Sequence, residues 1–296
     1  MFKYKYIGSR VAQRSYVKPS PDVNSDYSYD NLGRITQIHT YKCENTIVKF
    51  DYEYEQLTNN ISLIKFDHRD EDNDPCNVFG YDDIARLVSA EYGLNDTNEI
   101  FTMDALGNRT NVKVRDTNDI TYIVDELTNR YESIDGNSLE YDTAGNMTTD
   151  KDGYNYYYDY ENRIIEIKKD NDIVTVAEYA YDALGRKIKK TDSINSANTR
   201  LYYYSNNWQV LEERGSSGNF KKWYAYGNYT DEVLMNSIFV TPAAIRVYVQ
   251  DHLYSTAALL NYSGSVLERY EYDVYGNGIW NLEHSKKNTE YRGKID

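Results

Sequence analysis

One short motif, repeated along the chain, limits the possible folds more than any other feature. Tyr29-Asp30-Asn31-Leu32-Gly33-Arg34 returns as Tyr81-Asp82-Asp83-Ile84-Ala85-Arg86 and as Met103-Asp104-Ala105-Leu106-Gly107-Asn108. It returns again as Tyr141-Asp142-Thr143-Ala144-Gly145-Asn146, Tyr158-Asp159-Tyr160-Glu161-Asn162-Arg163 and Tyr181-Asp182-Ala183-Leu184-Gly185-Arg186, with looser copies starting at Tyr54 and Tyr204. From Tyr158 to Tyr181 and from Tyr181 to Tyr204 the interval is 23 residues. A unit of about 22 residues holds two strands of ordinary length and two turns. Internal periodicity on this scale marks a repeat architecture, in which each unit buries its apolar face only against its neighbours.

The residues of one copy explain the unit. In Glu178-Tyr179-Ala180-Tyr181 the alternation puts two tyrosine rings on one face of a strand. Asp182 opens a turn, because a short carboxylate accepts backbone N–H groups two residues on. Gly185 takes the position where positive φ is expected. Arg186 starts the return strand, and its guanidinium is expected to lie on a neighbouring Tyr ring or pair with the Asp of an adjacent unit. Tyrosine is the compositional outlier, with 33 copies in 296 residues, and it suits half-buried sheet surfaces. No long stretch shows helical apolar spacing. The expected fold is therefore all-β: antiparallel hairpins in one long curved sheet, with a β-propeller as the architectural rival, since two units would make one four-stranded blade.

Charge narrows the partners. The net charge is -14, which argues against nucleic acid and against an anionic membrane surface. No apolar run is long enough for a transmembrane helix, and the start, MFKYKYIGSR, lacks the apolar stretch of a secretory leader. Cys43 and Cys76 sit in no metal-ligand spacing, so free thiols or one bridge are expected. His39, His68, His252 and His284 include no pair at helical ligand spacing. Asp70, Asp72 and Asp74 alternate as in a calcium loop, but Pro75 and Tyr81 stand where the loop needs Gly and Glu, so a solvated loop is expected. Asp74-Pro75-Cys76-Asn77 reads as a turn. No nucleophile elbow, phosphate loop or dinucleotide fingerprint is present, so the segment is expected not to be an enzyme and to need no cofactor or metal.

The Tyr-Asp…Gly-Arg pattern resembles the YD repeat of the RHS family, over about Tyr27 to Gly278. A second stretch is more specific. Asp251-His252-Leu253-Tyr254-Ser255, followed by Tyr272-Asp273-Val274-Tyr275-Gly276, is similar to the start of the RHS-associated core segment, with Tyr254 in place of the usual Gly and Val274 in place of the usual Pro. Trp223 to Gly227 resembles a segment just upstream in some bacterial members. The resemblance implies a spiral β-sheet shell around a C-terminal toxin or effector domain, and an extracellular or cell-surface setting. It divides the chain into a strip, 1–247, and the start of a core-like segment, 248–296, with Tyr291-Arg292-Gly293-Lys294 as the first residues of its next element. The expected role is a structural wall that encloses or presents a toxin in secretion or contact-dependent competition, with flanking repeats and the toxin domain as partners. Because tyrosine, acid and amide side chains also line sugar-binding surfaces, the alternative is an adhesion module for cell-surface glycans. The sheet's end strands are expected to invite pairing with other chains.

Overall fold

A computed structural model describes residues 2–17, 22–69, 76–93, 97–115, 117–169, 173–238 and 244–279. Its strands follow one another as hairpins, each paired with its neighbours in sequence. All but the last two form two long antiparallel sheets of thirteen strands, in which order along the sheet is order along the chain, and neither closes into a barrel; Glu271–Tyr272 and Gly278–Ile279 pair as a separate two-stranded sheet. The propeller is thus excluded, because blades would group the strands in fours. Among the described residues helical geometry is confined to 3-10 turns, at Ser196–Asn198 and Ala244.

The repeat sets the register. In Val174–Tyr181 against Lys187–Asp192, the pairing runs Tyr179↔Lys190 and Ala180↔Lys189, then jumps to Tyr181↔Lys187. Ile188 is left over as a bulge. The same jump occurs at Tyr29, Tyr54, Tyr81, Tyr158, Tyr204 and Tyr226, always beside the motif tyrosine. An extra residue on one strand bends it and increases its twist. Each of these motif turns therefore brings its own bulge.

Contacts divide the chain into two units, Met1–Asn98 with Tyr248–Asp296, and Glu99–Val247. One cut falls at 247/248, where the resemblance also divides the chain, and a second falls at 98/99. The core-like segment is no appendage to the strip, since it groups with the first hairpins. In this unit Thr256–Leu260 packs on Asn45–Tyr54, and Ile38, Val48, Val249, Ala258 and Leu260 are fully buried. Polar groups fasten the same contact. The Arg69 guanidinium donates to both Glu271 oxygens (3.2 and 2.7 Å) and to Asn77 (2.9 Å), and stands 3.9 Å from the Phe66 ring centre. Arg269 donates to the Ile47 carbonyl at 3.1 Å, the Tyr92 hydroxyl accepts from the Val274 N–H at 2.9 Å, and Arg14 donates to Gln250 at 3.2 Å. The two sequence-distant stretches thus make a core with dry aliphatic contacts and buried, paired charge.

The middle of the second unit is built differently, whereas its ends bury Phe101, Val112, Leu234 and Val247. Between residues 140 and 226, Ala177 is the one buried apolar side chain among those described. Along Asn155–Tyr158, Ile164–Lys169, Arg200–Tyr204 and Phe220–Tyr226 nearly every residue is half-buried, whichever face it takes. A stretch of sheet without a dry core depends on contacts between adjacent strands.

These packings set two measurable outcomes. Arg69 is 2% exposed and its partner Glu271 12%, so Glu271→Gln leaves a buried guanidinium charge without its counter-ion. It should cost roughly 3 kcal/mol in urea denaturation, and a loss below a few tenths would show that the pair is not structural. The turns give a paired test. Gly107 has φ +91° with open space where a methyl group would stand, while Ala85 holds the same turn position at φ +66°. Gly107→Ala should lose about 1 kcal/mol and Ala85→Gly should gain a similar amount.

Candidate functional site

The repeated turn is the most regular chemical feature of the chain, and its geometry shows why each motif residue is needed. At Asp182, one carboxylate oxygen accepts the N–H groups of Leu184 and Arg186 (both 2.9 Å), and the other accepts the Arg186 Nε–H at 2.7 Å. The Asp182 carbonyl accepts the Gly185 N–H, and the Asp182 N–H donates to the Arg186 carbonyl (both 3.0 Å). Asp30 with Arg34, Asp82 with Arg86 and Asp159 with Arg163 repeat this bonding. Where the last residue is Asn108, Asn146 or Asn277, its amide donates to Asp104, Asp142 or Asp273 instead. In the looser copy Ser205 stands in for the aspartate, accepting from Asn207 and Gln209. Asp251 also makes the turn, accepting from Leu253 and Ser255. The glycine position is left-handed throughout: Gly33, Gly145, Gly185 and Gly276 occupy it, and so do Asn162 and Tyr254. Tyr254 thus adopts the left-handed backbone that the usual Gly would supply.

Successive turns are joined by the tyrosines. The Tyr181 hydroxyl donates to the Ile164 carbonyl at 2.7 Å, Tyr204 to Lys187 at 2.7 Å, and Tyr226 to Val210 at 2.9 Å. Tyr29, Tyr54, Tyr81, Tyr141, Tyr158 and Tyr272 make the corresponding bond to Val11, Ile35, Ile61, Tyr131, Met147 and Thr256. The accepting carbonyl typically belongs to the residue just after the preceding turn. The arginine of that turn lies over the same ring: Arg34 over Tyr54 (4.3 Å), Arg163 over Tyr181 (4.9 Å) and Arg186 over Tyr204 (5.2 Å). Arg34, Arg163 and Arg186 therefore each pair with the aspartate of their own turn and stack on the tyrosine of the next. The expected stacking is present, whereas the expected pairing with an adjacent unit's Asp is not, because the i,i+4 partner is nearer. The electrostatics agree. The Arg86 N–H and guanidinium hold Asp82 below the usual carboxylate range, the Asn108 amide does so for Asp104, and burial raises the phenols of Tyr181 and Tyr204 and pushes Tyr272 up to about 12. The carboxylates stay charged acceptors and the phenols stay donors at neutral pH.

The remaining candidates fall into place. Cys43 and Cys76 are free thiols, Cys43 exposed. Among the described residues no group of His, Cys, Asp and Glu could hold a metal ion. Asp70, Asp72, Asp74 and Pro75, like His284 and Tyr291 to Lys294, lie outside the described residues. His39 bonds Thr46 at 2.9 Å. His68 sits edge-on to Phe50, and its ring accepts the Lys49 N–H at 3.1 Å. His252 packs edge-on against Tyr52 at 4.7 Å. No helix of the described residues is long and apolar enough to cross a membrane. Sequence reasoning missed Arg14, Arg69 and Glu271, which carry the long-range polar contacts yet stand outside the repeat motif.

Two outcomes test the turn ladder. Arg186→Lys keeps the charge but gives up the planar stack and the directed Nε–H bond, and should cost about 1 kcal/mol in urea denaturation. Tyr204→Phe removes one donor from a carbonyl and should cost a similar amount, about 1 kcal/mol; two neutral results would leave the ladder without energetic weight. Acid is the other probe. Burial pushes His68 and His252 down to about 4, so their contribution is complete above pH 6.5 and is lost as pH falls toward 4. Burial pushes Asp251 up to about 6, which adds stability as pH falls from there, but one carboxylate offsets only part of two imidazoles. The denaturation midpoint should fall between pH 7 and pH 4.5, and a flat profile would contradict the burial of both rings.

The same turn-and-strip geometry recurs in known proteins. No family model matches the chain. In sequence it is 28% identical over 179 residues to the tRNA3(Ser)-specific nuclease WapA of Bacillus spizizenii, covering 60% of this chain and 7% of that protein. It is 27% identical over 179 residues to the tRNA nuclease WapA of Bacillus subtilis, again 7% of the relative's length. A 32% identical match over 130 residues, 39% of this chain and 8% of the relative, joins it to the double-stranded DNA deaminase toxin A of Burkholderia cenocepacia. In fold, the TcdB2-TccC3-Cdc42 crystal structure superposes on 98% of this chain with a TM-score of 0.74 at 18% identity, and the Tc holotoxin pore of Photorhabdus luminescens on 94% with a TM-score of 0.72. The chain spans 16% of each of those chains, less than a fifth of the proteins it resembles in structure. Repeated motif, turn chemistry, toxin-type relatives and matching architecture together make this chain a relative of the RHS/YD-repeat shell proteins.

Proposed function

We propose that the chain is a wall segment of a shell that encloses or presents a toxin or effector domain, in secretion or in contact-dependent competition. One observation carries the reading. The stretch 140–226 is held by strand-to-strand bonds and stacked rings in place of a dry core, so its stability comes from continuing the strip. That is the economy of a wall, in which material is spread over area. The relatives support it by kind, since two are named as nucleases and one as a deaminase toxin. On this reading the chemistry belongs to a domain outside the segment, which is itself no enzyme and works outside the producing cell.

The test uses the gene in its native context. In-frame deletion of residues 142–226 should expose a downstream domain to protease and make it harmful to the producing cell. A deletion that alters neither protease resistance nor growth would overturn the shell reading. Binding of the intact chain to a glycan array, lost on substitution of surface tyrosines, would instead establish the adhesion reading.

A further inference from the structure

The first hairpin departs from the ladder at one point. Phe2–Ile7 pairs with Arg10–Tyr16, and the register jumps from Lys5↔Gln13 to Tyr6↔Val11, the same one-residue slip that marks the motif turns. Tyr6-Ile7-Gly8-Ser9-Arg10 therefore holds the place of Tyr29-Asp30-Asn31-Leu32-Gly33-Arg34, one residue shorter, with Arg10 in the arginine's position and Ile7 in the aspartate's. Arg10 is placed as a ladder arginine. It lies over the Tyr29 ring at 5.7 Å, and the Tyr29 hydroxyl donates to the carbonyl of Val11, the residue after it, at 2.9 Å. Its guanidinium also lies against Gly33, where a Cβ would stand 2.0 Å from Nη2. What differs is the counter-ion. Arg34, Arg86, Arg163 and Arg186 each bond the aspartate of their own turn at 2.7 Å. Arg10 has neither an ion pair nor a hydrogen bond among the described residues. It lines an open cleft of about 480 Å³ together with Ile7, Tyr29, Asp30, Leu32 and Gly33. Ile7 and Leu32 are 66% and 74% exposed there.

We propose that this cleft binds a carboxylate carried beside an aliphatic group, as at the end of a peptide whose last residue is leucine. The carboxylate takes the place on Arg10 that each motif aspartate takes on its arginine, and the aliphatic group lies on Ile7 and Leu32. Three observations select that chemistry. The guanidinium is already held between a ring and a glycine backbone, so little freedom is lost when its planar fork meets a carboxylate. The one acid lining the cleft, Asp30, cannot serve as the partner: its oxygens accept the N–H groups of Leu32 and Arg34 and the Arg34 Nε–H. The flanking side chains are apolar, so an anion with no apolar group would leave most of the cleft in water. The chain's net charge of -14 repels anions at a distance, but salt at physiological strength screens that repulsion beyond about 8 Å. The site goes beyond the wall reading and stands whether or not the wall encloses a domain.

Ligand-observed NMR on the full chain, with N-acetyl-leucine as the probe, tests the site. N-acetyl-leucine should bind at millimolar concentration, and N-acetyl-leucinamide, which lacks the carboxylate, roughly tenfold more weakly. Arg10→Gln should abolish the difference between the two. Leu32→Ser changes an exposed turn tip whose side chain makes none of the turn's bonds, so it remains usable if Arg10→Gln unfolds the hairpin. It should keep the preference for a carboxylate and remove the advantage of N-acetyl-leucine over N-acetyl-glycine. A peptide blocked at both ends, with an internal glutamate beside leucine, separates the sources: binding equal to that of N-acetyl-leucine assigns the site to an acidic side chain, and weaker binding assigns it to a chain end. Equal binding of N-acetyl-leucine and its amide would overturn the proposal. So would binding that persists unchanged in a folded Arg10→Gln chain, or a leucine advantage that Leu32→Ser leaves intact.

Discussion

The stack of one turn's arginine on the next turn's tyrosine, closed by that tyrosine's hydroxyl on a backbone carbonyl, is the interaction on which the rest depends. It binds each hairpin to its successor at the edge, where strand pairing ends and a ladder would fray. A single exposed ion pair is worth little, because water screens it and two long side chains must be held still. Here the aspartate also holds two backbone N–H groups, so the carboxylate is fixed by the turn before the arginine reaches it. The guanidinium is then aimed, and its outer face meets a ring that is itself anchored by its hydroxyl. Several weak contacts become cooperative because each fixes the geometry of the next.

The two units use this device under different conditions. Between residues 140 and 226 the ladder works where few side chains are fully buried, and aromatic, cationic and acidic side chains share half-wet surfaces: Lys187 stands over Tyr179 and Tyr202, and Arg214 over Tyr203. In the other unit the same hairpins are covered by a distant part of their own chain. Burial there excludes water from His68, His252 and Asp251, and makes Arg69–Glu271 a contact whose loss of one partner is costly.

The motif made the hairpins, the turn positions and the shared tyrosine face legible, because each is a local consequence of residue type: Asp for the Asx turn, Gly for positive φ, alternating Tyr for a strand face. The partner of Arg186 was legible only in part. Sequence showed a cation near rings and carboxylates, but whether it reached forward or back depended on a bulge at Ile188 that no residue type announces. The closure of the first unit was not legible. Arg14 and Gln250 lie 236 positions apart, and Arg69 and Glu271 lie 202 apart. Neither pair repeats, and periodicity speaks only of neighbours.

The recurrent bulge has a consequence for how such a chain lengthens. A strand register ordinarily carries any one-residue slip onward, turning every later side chain to the wrong face. Here an extra residue recurs beside the motif tyrosine at Tyr29, Tyr54, Tyr81, Tyr158, Tyr181, Tyr204 and Tyr226, so the count restarts at the same place in each of these hairpins. Duplication or loss of a whole unit in the gene would return a chain still in phase, its remaining rungs meeting partners of the kind they had before. Growth by copying is thereby tolerated at almost any point along the strip, and the drift among the present copies, with Met103, Ser205 and Tyr254 at motif positions, is what such a history leaves behind.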